Sequence, residues 1–144
     1  MLGLTPARTV AHCGAVPLAY AIDRDQHLVT ITGEYSGAVE WQDVLTRIHL
    51  DAEHQPGFAF LRDLRNGATP TDAATVMEIA KVVRRFWPLL QPSRVAILAR
   101  SEEDAPALVA QALADAAGIP LRMFINPKEA LSWLAEGVQP TEQH

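Results

Sequence analysis

Five polar side chains crowd one short stretch of this chain: Asp63, Arg65, Asn66, Thr69 and Thr71. They follow the apolar run Phe58-Ala59-Phe60-Leu61 and lead into a helix-start pattern, so they occupy a polar elbow between a strand and a helix. An open α/β sheet puts its ligand crevice there, outside the carboxyl ends of its strands. The free amides of the following helix favour an anionic or polar ligand. Tyr35 and Arg100 follow neighbouring strands and complete a candidate ligand-binding crest. Asp63 is its one carboxylate. Desolvated, it would serve as a general base; paired with Arg65 or Arg100, or accepting backbone amides, it is only a structural ion.

Other reactive residues lack the spacing that their chemistry needs. His49 and His54 are five apart and so do not stack on one helix face, and neither has a Glu or Cys partner at metal-ligand spacing. His12 adjoins Cys13 in a segment with no evident scaffold to orient a Cys–His dyad. Ser36, Ser93, Ser101 and Ser132 stand in no Gly-x-Ser-x-Gly elbow, and Gly33 with Gly37 makes no phosphate loop. The expectation is a protein without catalytic residues, metal or cofactor.

The chain that positions these residues has 144 of them, one domain's worth, long enough to bury a full core. Its 17 acidic residues outnumber 12 Lys plus Arg, for a net charge of −5, which argues against nucleic acid or an anionic membrane as the main partner. The single Cys13 suits a reducing compartment. Pro6, Arg8 and His12 interrupt any signal-peptide core, and no run approaches a membrane span. A cytoplasmic location is expected, with residues 1–18 a tail or edge segment, 19–137 the domain and 138–144 a second tail.

Strand and helix patterns alternate through the body. Tyr20-Ala21-Ile22 and Leu28-Val29-Thr30-Ile31 flank a polar turn of hairpin length. Trp41, Val44, Leu45 and Ile48 then recur at helical spacing up to Pro56-Gly57. Phe58 to Leu61 reads as the third strand. Thr69-Pro70-Thr71-Asp72 reads as a cap, a proline at the first helical position and a carboxylate two residues on. The longest helix follows, with Val76, Ile79, Val83 and Leu90 as its inward stripe beside Met77, Ala80 and Phe86, and Trp87-Pro88 is expected to kink or end it. Val95 to Ala99 is continuously apolar and is expected to be the central strand. Asp104 should cap a third helix whose Leu108, Val109, Ala112, Leu113 and Ala116 face inward until Gly118 stops it. Leu121 to Ile125 forms the last strand, and Asn126-Pro127-Lys128-Glu129 opens the last helix. The fold class is α/β: a mixed five-stranded sheet with an N-terminal hairpin and about four helices, in the order β-β-α-β-α-β-α-β-α.

This order, the Asp63-Leu64-Arg65 elbow and the closing run from Asn126 to Leu134 resemble the SpoIIAA-like (STAS) family, in particular its STAS/SEC14-like branch of small bacterial proteins, over about residues 20–137. The resemblance implies either of two activities. In anti-sigma-factor antagonists of this fold, a serine in an Asp-Ser-Ser-Gly turn is phosphorylated to switch partner binding. The matching stretch here, Thr69-Pro70-Thr71-Asp72-Ala73-Ala74, holds neither serine nor glycine, so Thr69 is expected to cap a helix and no phosphoswitch is expected. The other branch binds apolar ligands such as lipids between the sheet and a movable helix. Met77, Phe86 and Trp87 would line such a pocket, with Met123 and Phe124 as further material and Arg84-Arg85 near an anionic head group. The simpler expectation is that these side chains close the core.

The function read from the sequence is therefore a non-enzymatic regulatory or adaptor module binding a protein partner or a small molecule, a homodimer being one form of the former. A carrier of lipid or another apolar ligand is the alternative. An unrecognised hydrolase or transferase stands third.

Overall fold

A computed structural model of the chain describes residues 17–34, 37–65 and 72–137. Two strands, β1 (Ala19–Asp23) and β2 (Leu28–Thr32), pair antiparallel across a turn in which His27 takes a positive φ of 54°. Strands β3 (Ala59–Asp63), β4 (Val95–Leu98) and β5 (Leu121–Phe124) then join in parallel, each beside its predecessor, giving the order β1-β2-β3-β4-β5. The connecting helices are α1 (Ala38–Leu50), α2 (Ala73–Leu90) and α3 (Ala105–Ala117), and α4 (Pro127–Gly137) closes the described chain. The mixed five-stranded sheet with four helices is the architecture expected from the sequence. The middle strand, however, is β3. The apolar Val95–Leu98 segment lies one place nearer the edge, because a strand flanked on both sides and covered on both faces reads the same in either position.

Right-handed crossovers put consecutive helices on one face, and the packing follows that rule. Val29, Ile31, Phe58 and Phe60 meet Val44, Leu45 and Ile48 of α1 and Val82, Phe86 and Leu90 of α2. On the same face, Leu64, Ile97 and Ala99 meet Ala107 of α3. The opposite face packs Leu28, Ala59, Leu61, Ala96 and Leu98 under Ala130 and Leu134 of α4. There the Arg94 guanidinium lies 4.6 Å from the centre of the Trp133 ring and donates to the Trp133 carbonyl at 2.7 Å.

Three expectations shift in the helices. The α2 cap is Asp72, whose carboxylate accepts the Thr75 amide at 3.0 Å, and the helix begins at Ala73 rather than after Thr69. Asp outranks Thr as a cap. Helix α2 also runs past Pro88 to Leu90 and ends at Gln91 in the left-handed conformation. Pro88 removes one amide donor without stopping the last turn. Among the described side chains of α3, Ala107 and Ala114 are buried, Val109 is half-buried, Leu108 is 47% exposed and Ala112 is exposed; the side chains of Leu113 and Ala116 lie outside those described. That helix is apolar nearly all round, so its sequence carries no directional stripe, and alanine lets it approach β5 closely. Asp104 does cap α3, as expected, with Pro106 in the first turn.

Candidate functional site

The described members of the polar crest are engaged with their own neighbours. Asp63 lies at the end of β3, where its Oδ1 accepts the Arg65 amide and Nε, both at 3.0 Å, and its Oδ2 accepts Nη2 at 2.9 Å. Burial alone would raise this carboxyl, but the Arg65 hydrogen bonds outweigh it and hold Asp63 below the usual carboxylate range. Such a group stays ionised and poorly basic. Arg100 donates its amide to Asp104 at 3.1 Å, and its Nε lies 3.7 Å from the same oxygen. Tyr35, Asn66, Thr69 and Thr71 lie outside the described residues.

The second candidate set comes together differently. Met77, Phe86 and Trp87 all line one cavity of about 440 Å³ between α2, α3 and the sheet. Its floor is Phe60, Arg62 and Leu64 of β3 with Val95 and Ile97 of β4, side chains that strand alternation and register put on one face. Its walls include Val76, Ile79, Ala80 and Val83 of α2 and Val109, Ala110 and Ala114 of α3. The cavity separates the two packed clusters of this face. Helix α2 is anchored by Val82, Phe86 and Leu90, each at most 8% exposed, whereas Val76, Ile79 and Ala80 are only half-buried and Met77 is 54% exposed. The simpler expectation, a core closed by Met77, Phe86 and Trp87 together, thus holds for Phe86 alone. Met123 and Phe124 do not line the cavity: Met123 packs with the α3 cluster and Phe124 with Trp133 on the other face.

Arg62 was not singled out by sequence, yet it is 6% exposed at the cavity floor. Its Nη1 donates to the carbonyls of Ile31 at 3.3 Å and Asp63 at 3.1 Å, and its Nη2 to that of Gly33 at 3.0 Å. The guanidinium lies 5.4 Å from the Trp41 ring centre. The signal was available: Arg62 alternates with Phe60 and Leu64, so period 2 turns a charge inward.

His54 stacks edge-on against Phe58 and Phe60 at centroid distances of 5.8 and 6.1 Å. Its Nε2 is buried without a hydrogen-bond partner among the described residues. Burial, and secondarily the nearby His49, lowers its pKa. The unfolded chain therefore takes up the proton more readily as pH falls through about 6.5, and stability that is whole above that value is lost below it. Urea midpoints should fall between about pH 7 and 5, and fall less in a His54→Leu variant. Parallel losses in the two proteins would contradict this. Among the described residues, no three His, Cys, Asp or Glu gather as a metal site, and no helix is long and apolar enough to cross a membrane.

No protein-family model matches this chain, and no curated protein matches it. A solved structure does: an uncharacterised protein of the DUF3478 family with a SpoIIAA-like fold, from Shewanella loihica. The two superpose with a TM-score of 0.61 at 16% identity, over 88% of this chain and 99% of the other. Together with the strand order and the four helices, that superposition identifies the fold of this chain as SpoIIAA-like.

Proposed function

We propose that this SpoIIAA-like domain is a non-enzymatic binding module that takes one small apolar ligand between α2 and the sheet. The apolar cavity of about 440 Å³ carries this assignment. It falls within the ~300–1,000 Å³ of small-molecule sites. A small ligand suits it better than a protein partner does, because Val76, Ile79, Ala80, Val83 and Trp87 turn onto the gap. Catalysis is left out because Asp63 is tied to Arg65 and His54 sits among phenylalanines.

A neutral naphthylamine dye, fluorescent only in apolar surroundings, tests the proposal. Saturable binding of one dye per chain is expected, with a negative heat-capacity change from apolar burial. Linear, unsaturable uptake would refute it.

A further inference from the structure

The lining of the cavity has a charge signature as well as a shape. Among the described residues that form it, the ionisable side chains are Arg62 and Arg84, both cationic, and no carboxylate is present. This occurs in a chain with 17 acidic residues and a net charge of −5. Arg84 stands on α2 in the row Val76, Ala80, Arg84, Trp87, the stripe at i, i+4, i+8 and i+11 that faces the gap. It is exposed, and among the described residues it forms no salt bridge. Its neighbours on α2 are used elsewhere: Lys81 pairs with Glu78 at 3.3 Å, and Arg85 donates to Gln42 on α1 at 3.4 Å. Arg62, by contrast, is fixed at the carboxyl end of β3 by three carbonyls.

We infer, building on the apolar-ligand reading above, that the ligand is a single-chain amphiphile with an anionic head, such as a long-chain carboxylate, whose tail fills the cavity and whose head is held by Arg84. The volume, near the lower end of small-molecule sites, suits one hydrocarbon chain rather than two. Arg84 is the flexible partner, since its stem can follow α2 while the guanidinium forks onto a carboxylate. Arg62 contributes positive potential from the floor, where the surrounding apolar side chains screen it little.

Displacement of the neutral dye by palmitate and by hexadecanol, which share a chain length and differ in head charge, tests this at about pH 8, where the carboxylate is ionised. Palmitate should displace the dye at about tenfold lower concentration than hexadecanol, the scale of one charge-assisted contact at a partly exposed site. An Arg84→Gln variant should bring the ratio close to one by weakening palmitate alone, and Arg84→Lys should restore part of it. Equal displacement by both lipids, a preference that survives Arg84→Gln, or dye that neither lipid displaces would each overturn the head-group assignment while leaving the apolar site standing. Failure of the dye itself to bind would remove both.

Discussion

Truncating Phe86 to Ala is expected to cost about 3–5 kcal/mol, and truncating its neighbour Trp87 to Ala about 1 kcal/mol or less. Both rings line the cavity, but they belong to different parts of the packing. Phe86 is 8% exposed and belongs to the buried cluster with Phe60, Val82 and Leu90, so its removal strips packed contacts. Trp87 is half-buried and faces the gap, where part of its surface meets no protein atoms, and contacts that do not exist cannot be lost. Urea unfolding of the ligand-free variants measures the difference. Similar losses for both would mean that α2 rests on the sheet along its whole length, with no room beneath it.

The same contrast runs along α2. Among the described residues, α2 is pinned through its carboxyl-terminal half, by Val82, Phe86 and Leu90. Its amino-terminal half bridges the cavity through half-buried Val76, Ile79 and Ala80. Segments with few buried apolar contacts are the ones that move at low cost.

Much of this fold was legible from the chain because period and punctuation agree there. Val44, Leu45 and Ile48 recur at helical spacing and are buried. Asn126 accepts the Lys128 amide at 2.8 Å, as its place before Pro127 implies. Where two signals competed, the sequence was ambiguous. Thr69 and Asp72 both qualify as caps, and the observed cap is the carboxylate. Val82 and Val83 are adjacent and alike: Val82 is buried in the cluster shared with α1, while Val83 lines the cavity. Alanine-rich α3 carries too little contrast to orient it.

The site was harder to read than the scaffold. The polar elbow stood out as a cluster, yet Asp63 and Arg65 neutralise each other. The cavity has no motif at all. It exists because side chains from β3, β4, α2 and α3 fail to meet, and a failure to meet is a property of the distances between helices, which hydrophobic patterning does not encode. Met77, Phe86 and Trp87 were recognisable as apolar material, but the sequence assigns a packed phenylalanine and a pocket-facing tryptophan to the same stripe.

The stability of an Ala80→Leu variant, measured on ligand-free protein, tests the central claim most directly. Ala80 is half-buried and lines the gap, so a leucine there grows into empty space. Each methylene removed from water contributes about 0.8 kcal/mol. The cavity therefore predicts a gain of about 1–2 kcal/mol, with weaker dye uptake because the gap is narrowed. In a core already packed to crystal-like density, the same substitution forces side chains off their rotamers and costs about 1–3 kcal/mol. A variant less stable than its parent, taking up the dye as strongly as the parent does, would contradict the account.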